Sequence, residues 1–289
     1  MKQGNSMSIK AVLLNLSKQE NVQFQQIVTR YLHERLLFRV SLSEYKTNFV
    51  LKGGNLMYAI EGLHTRPTMD IDMLAKSISN DKENIKSIFQ KICAIHYESD
   101  CVKFNTDTIA VSDIDQEKKY SGVRLLIESL FDSIRQTVQI DIGFGDVITP
   151  SAVNLLFPVL LDELEGPDIL AYSTETVIAE KFEAMITLGK ANSRMKDFFD
   201  VFTLLKNNDL EKTMITEAVK ATFQRRNTNI EENLPVFDET FYKDIYRQTM
   251  WNSFLRKNKL EKLDFTEVVQ TITAKLQPIC WKIMNNAIK

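Results

Sequence analysis

The segment from Thr68 to Leu74 alternates without a break, with Met69, Ile71 and Met73 on one side and Thr68, Asp70 and Asp72 on the other. A period of two marks a β-strand, here with one apolar face and one wet face. Two carboxylates at i and i+2 on a strand point the same way, with Cα atoms about 7 Å apart, so a single cation can bridge them. A chain containing this segment must build a sheet around it and must find a use for the charge.

The flanking patterns supply that sheet. Phe49-Val50-Leu51 is a short apolar run ended by Gly53-Gly54, after which Leu56, Met57 and Ile60 return at helical spacing, which reads as strand, tight turn, helix. Val138, Ile140, Ile142 and Phe144 alternate with Gln139, Asp141, Gly143 and Gly145, a second strand with a polar face. Val102–Val111 and Ser121–Glu128 are predicted as strands and Asp81–Cys93 as a helix. Apolar residues at three- and four-residue steps predict an N-terminal helix over Asn21–Val40. Strands mixed with helices define an α/β (α+β) fold built on a mixed sheet.

Pro150, Pro158, Gly166 and Pro167 punctuate the chain, and the domain boundary is placed there: residues 1–165 for the N-terminal helix and core, 166–289 for a helical C-terminal domain. Ser173 or Thr174 can cap a helix through Val177, Ile178, Lys181, Phe182 and Met185, with Gly189 beyond its end. A second helix is expected from Met195 to Leu205.

Composition excludes several functions. Lys and Arg number 36 against 38 Asp and Glu, a net charge of −2, so contact with a polyanion must be local. Residues 1–180 hold 18 basic and 24 acidic side chains, and residues 181–289 hold 18 and 14. Such a division suits holding a polyphosphate or an RNA end beside metal-binding carboxylates, and equally suits an ordinary solvated surface. Three cysteines without a CxxC pair argue for a reducing cytosol, and Cys93, His96 and Cys101 make a poor zinc set. The apolar block Ala11–Leu14 is too short for a signal segment, and no run reaches the roughly 18 apolar residues of a membrane span, so a cytoplasmic protein is expected.

Should the strand bearing Asp141 neighbour that of Asp70 and Asp72, three carboxylates converge. Hard oxygen donors of this kind suit Mg²⁺, and a pair of such ions can activate an attacking hydroxyl and stabilise a leaving pyrophosphate. Four of only nine glycines, Gly53, Gly54, Gly143 and Gly145, lie in these two segments. Gly-Gly before a helix allows backbone N–H groups to approach a phosphate, though it also serves as a plain turn. Lys181 and Lys196 are compact charges suited to β- and γ-phosphates, with Asp197 or Asp200 able to hold them by ion pairs, Lys196 and Asp200 being four apart on one helix. Arg66 either contacts phosphate or braces its turn. Arg225-Arg226, Arg256-Lys257 with Lys259, and Lys262, near Tyr242, Tyr246 and Trp251, read either as an RNA-contacting surface or as helical core.

The order Lys52-Gly53-Gly54-Asn55-Leu56, Arg66-Pro67-Thr68-Met69-Asp70-Ile71-Asp72-Met73 and Gln139-Ile140-Asp141-Ile142-Gly143 resembles the polymerase-β-type nucleotidyltransferases. Val177–Met185 and Arg194–Asp200 narrow the resemblance to the AbiEii toxins of type IV toxin–antitoxin and abortive-infection systems. It implies a polymerase-β-like core and transfer of NMP from an NTP with Mg²⁺, two ions being possible. Asp70, Asp72 and Asp141 are implied as metal ligands, joined by Lys181 and Asp197 as catalytic residues. Gly53, Gly54, Asn55, Arg66, Thr68, Lys196 and Asp200 are implied as the nucleotide-binding set. The implied acceptor is an RNA such as a tRNA 3′ end, and the implied partner a cognate antitoxin. Asn55 departs from the pattern, because Ser or Thr commonly follows the glycines; Asn can still cap a helix and donate to phosphate. Two alternatives stay open at this point: a catalytically inactive nucleotide- or partner-binding module, and a transferase with a small-molecule or protein acceptor.

Overall fold

The computed structural model describes residues 3–63, 65–114, 122–207, 210–231 and 233–287. They form two compact units, one of Met1–Gly145 with Val153–Ala171 and the other of Asp146–Ala152 with Tyr172–Lys289.

The first unit begins with helices α1 (Gln3–Gln19) and α2 (Phe24–Leu42). The N-terminal helix expected from periodicity is α2; α1 has no counterpart in that expectation. Every residue of α2 from Ile27 to Val40 is buried, including four charged ones. Burial of charge costs free energy unless partners are supplied, and here they are. Arg35 pairs with Glu34 at 2.7 Å and donates to the Glu165 carbonyl at 2.9 Å; Glu34 accepts from the Leu160 amide at 2.8 Å. Arg39 forks onto Asp100, one arm at 3.0 Å. The polar residues that break the apolar stripe of α2 thus tie it to the segments around it. Burial pushes the Glu34 carboxyl up to about 7.

The strands are β1 (Phe49–Lys52), β2 (Asp70–Ala75), β3 (Val102–Phe104), β4 (Ala110–Ile114), β5 (Gly122–Phe131), β6 (Ile134–Phe144), β7 (Val153–Leu156) and β8 (Asp168–Ala171). They lie in the order β3-β5-β6-β2-β1-β8-β7, with β4 also on β5. The pairs β2/β6 and β1/β8 are parallel and the rest antiparallel, which makes the sheet mixed, as the alternation of strands and helices implied. Helix α3 (Gly53–Glu61) follows β1 directly, and α4 (Lys82–Cys93) starts where the Asp81 carboxylate accepts from the Asn84 amide.

Two readings of the sequence need correction. The segment expected as one strand over Val102–Val111 is two, because Thr106–Thr108 coils into a tight turn begun by the Asn105 side chain on the Asp107 amide. Ser121 lies outside the described residues, and its strand is seen from Gly122. Past Pro150 the chain does not turn helical at once: β7 and β8 come first, and β8, beyond residue 165, completes the core sheet by pairing with β1. Runs of four residues are too short for alternation to show.

The second unit is helical: α5 (Thr174–Leu188), α6 (Met195–Asn207), α7 (Lys212–Arg226), α8 (Glu239–Tyr242), α9 (Ile245–Lys257) and α10 (Phe265–Ala287). Ser173 caps α5 by accepting from the Thr176 amide, and Gly189 ends it in a left-handed turn, φ +47°. Two of the three aromatic residues singled out in the sequence, Tyr242 and Trp251, are core. Trp251 is fully buried, packs on Phe254 and Phe265 and donates its indole N–H to the Leu263 carbonyl at 2.7 Å. Tyr242 is buried as well, which leaves Tyr246 as the exposed member of the trio read either as a stacking surface or as core. No described helix is long and apolar enough to cross a membrane. All three cysteines are free and buried.

Candidate active site

Alternation in β2 sends Ile71 and Met73 into the core and Asp70 and Asp72 to the opposite face. Met69, expected with the apolar pair, precedes the strand and is exposed. The parallel register of β2 with β6 places Asp72 directly beside Asp141. One carboxylate oxygen from each of Asp70, Asp72 and Asp141 lies within 4.8 Å of the others, and all three residues are half-buried. At an effective dielectric near 20, like charges at that separation repel by about 3 kcal/mol per pair, so the cluster needs positive charge nearby.

The protein supplies part of it. In the β5–β6 register Arg124 stands opposite Asp141, and its guanidinium forks onto that carboxylate, Nε to Oδ1 at 2.8 Å and Nη2 to Oδ2 at 2.7 Å. The Gln139 amide adds a bond to Asp141 Oδ1 at 3.2 Å. The hydrogen bonding to Asp141 holds the Arg124 pKa above its ordinary value, with the Asp141, Asp70 and Asp72 charges acting in the same direction. On the other flank the β1–β2 register sets Lys52 opposite Asp72.

The Gly-Gly turn is built for close approach. Gly53 has φ +68°, and a Cβ there would overlap the Asp72 carboxylate; a Cβ on Gly54 would overlap the Thr68 side chain. Both glycines are thus needed for the start of α3 to lie against the carboxylate strand. Thr68 donates to Asp70 Oδ1 at 2.8 Å, and Arg66 is buried just upstream. Arg30 holds the intervening loop by donating to the Leu63 carbonyl at 2.8 Å.

Asn55 occupies an unexpected place for a phosphate donor. It is buried, its Nδ2 donates to the Asp70 carbonyl at 2.7 Å, and its Oδ1 lies 3.3 Å from Nδ1 of His33. His33 is fully buried in α2, and burial pushes its imidazole well below the ordinary 6.5, to about 4. As pH falls below about 6.5 the unfolded chain therefore takes up a proton at this position that the folded chain refuses until about pH 4, so the folded state loses stability through that window. Between pH 6.5 and pH 5 we expect wild type to lose about 1.5 kcal/mol more than His33→Gln, read from denaturant melts. Equal slopes for the two proteins would contradict the assignment of a neutral buried imidazole.

In the second unit, Lys181 of α5 is clasped by two fully buried carboxylates of α6, Asp197 at 3.0 Å and Asp200 at 2.8 Å; Arg194 pairs with Asp197 at 2.7 Å. Asp200 therefore meets Lys181, whereas Lys196, the surface partner suggested by i, i+4 spacing, is exposed. Removing the Lys181 charge would strand two buried carboxylates, which gives the cluster a structural role. Arg226, which read either as part of an RNA-contacting surface or as part of the helical core, bridges Asp146, Glu180 and Glu183 at 2.8 to 3.2 Å. Among the described residues the three aspartates are the one group of His, Cys, Asp or Glu side chains placed to hold a metal ion, so the Cys93, His96 and Cys101 set does not assemble; His64 lies outside the described residues.

Sequence reasoning missed Arg124 and His33. Arg124 had a signal: with a two-residue turn at Asp132-Ser133, the hairpin pairs Phe131 with Ile134, and seven residues outward on each arm it pairs Arg124 with Asp141. His33 had none, since nothing local distinguishes a core imidazole on a wholly buried helix.

A Gly-Gly strand-to-helix turn packed against Asp72, one of three clustered carboxylates on a mixed sheet, agrees with the family match, which places the chain among the nucleotidyltransferases. Within that class it belongs to the AbiEii family: the family described as the nucleotidyl transferase AbiEii toxin of type IV toxin–antitoxin systems matches residues 35–274. It is therefore a nucleotidyltransferase toxin by family. Among solved structures it is similar to JHP933 from Helicobacter pylori, with TM-score 0.53 and 15% identity over 92% of this chain and 96% of that one. It is also similar to a candidate nucleotidyltransferase from the same organism, with TM-score 0.50 and 16% identity over 91% and 98%. At such identities the likeness is one of fold. No curated protein matches the chain.

Proposed function

We propose that this chain transfers a nucleoside monophosphate from an NTP to an RNA hydroxyl, that of a tRNA 3′ end, with Mg²⁺ bound by Asp70, Asp72 and Asp141. The observation that carries this reading is the β2–β6 register, which brings Asp141 beside Asp72 from a distant part of the chain. Three clustered carboxylate oxygens are the hard donor set that Mg²⁺ takes in preference to softer ligands. When bound, the ions would supply charge for the attacking and leaving oxygens of an in-line displacement.

The remaining work falls to the chain itself. The Gly53-Gly54 turn opens α3, whose N-terminal amides favour a phosphate, and the missing Cβ atoms let that helix start lie against Asp72 and Thr68. Thr68 and Asn55 fix Asp70 through its carboxylate and its carbonyl, so its position is set before substrate arrives. In the second unit Lys181, its ammonium fixed by Asp197 and Asp200, is a point charge suited to a phosphate, and exposed Lys196 is a second. Arg66 is assigned to the nucleotide-binding set by its place before Thr68.

The RNA acceptor and cytoplasmic action rest on the AbiEii resemblance, whose toxins extend tRNA 3′ ends and are opposed by cognate antitoxins. Incubating the purified protein with each α-labelled NTP, Mg²⁺ and total cellular RNA should label a band of tRNA size. Label appearing only on protein or on a small molecule would overturn the acceptor, and no label with any NTP would overturn the activity.

A further inference from the structure

Across the site-bearing face, adjacent strands set Lys52, Asp72, Asp141 and Arg124 in one row by register, with positive residues at its ends and carboxylates between them. Both oxygens of Asp141 are engaged by Arg124, at 2.8 and 2.7 Å. A carboxylate sharing its electron density with a guanidinium is a weaker ligand for a second cation. We propose that Arg124 competes with divalent cations for Asp141, so that the nucleotide-free trio holds free ions weakly and takes up its cation together with the triphosphate.

This inference rests on the reading of the trio as a cation site. Without Arg124 the three aspartates would form a strong sink for any divalent ion, and their uncompensated charge would repel the polyanionic triphosphate. With the guanidinium in place the free site is partly neutralised, and an ion arriving on a nucleotide brings its own negative ligands. Arg124 is suited to give way, because its side chain keeps 39% of its surface in solvent while that of Asp141 keeps 15%. The hairpin does not depend on it: the neighbouring Val123 and Leu125 are buried in the core, and pairing with β6 runs the full length of β5. Arg124 thus acts on the reaction through Asp141 and is not itself assigned a contact with substrate.

The test is Mn²⁺ affinity of the full chain, measured by electron paramagnetic resonance with and without a non-hydrolysable NTP analogue. Arg124→Gln should bind Mn²⁺ alone about tenfold more tightly than wild type, and the gain on adding the analogue should shrink. Arg124→Lys, which keeps the charge but not the fork, should fall between them. Unchanged or weaker Mn²⁺ affinity in folded Arg124→Gln would overturn the proposal; if that variant does not fold, Arg124→Lys decides, with tightening in favour and none against. Asp141→Asn separates the two levels of failure. If it loses Mn²⁺ while Arg124→Gln matches wild type, only the role of Arg124 falls; if wild type and Asp141→Asn bind alike with analogue present, the cation site itself is wrong.

Discussion

Asp70→Asn should reduce nucleotide transfer by roughly 10³-fold or more while leaving the fold intact, a loss equivalent to about 4 kcal/mol of transition-state stabilisation. The substitution is nearly isosteric, and its amide oxygen can still accept from Thr68, which now donates to Asp70 Oδ1 at 2.8 Å. What disappears is one negative charge from a trio whose oxygens lie within 4.8 Å of one another. Stability should if anything improve, because a repulsive pair is relieved. Transfer from α-labelled NTP to RNA, run beside a thermal melt, checks both halves. Full activity in Asp70→Asn would remove the carboxylates from the mechanism. Growth arrest by wild type but not by Asp70→Asn would likewise exclude the alternative of a binding-only module, in which occupancy alone is toxic.

Gly53→Ala is expected to be nearly as damaging, for a different reason. The backbone there is left-handed, φ +68°, which costs a residue with a Cβ about 1 kcal/mol, and the added methyl would overlap the Asp72 carboxylate. The turn and the carboxylate cannot both stay where they are, so transfer should fall by about 10² or more. Gly62→Ala is the matched control: its φ is +81°, but a Cβ there has nothing within 4 Å. It should lose only the backbone term in a melt and keep its activity. If the two variants behave alike in the transfer assay, the close approach of the Gly-Gly turn to Asp72 has no functional weight.

Much of this site was legible in the sequence because its parts are local. Alternation about Asp70 and Asp72 fixes a face, and the Gly-Gly pair between an apolar run and a helical pattern marks a turn. What local pattern cannot give is which strands become neighbours: Asp141 joins Asp72 through a parallel pairing across nearly 70 residues. The resemblance to nucleotidyltransferases supplied that link in advance. The four-residue strands β7 and β8 escaped for a related reason: four residues are too few for a period to be read, and what holds them is pairing, β8 between β1 and β7 and β7 on β8 alone. Asn55 shows the opposite limit. Its place after the glycines suggested a phosphate donor, yet the folded chain turns its amide inward to the Asp70 carbonyl and His33, a contact that depends on where a separate buried helix passes.

The central claim is that Asp70, Asp72 and Asp141 together hold divalent cations at the triphosphate. It is tested most directly by an anomalous difference map from crystals grown with Mn²⁺ and a non-hydrolysable NTP analogue. We expect density within direct coordination distance of carboxylate oxygens from all three residues, with the triphosphate against the Gly53-Gly54 turn. Mn²⁺ and nucleotide bound elsewhere, with Asp141 still locked to Arg124 and bare of metal, would contradict it.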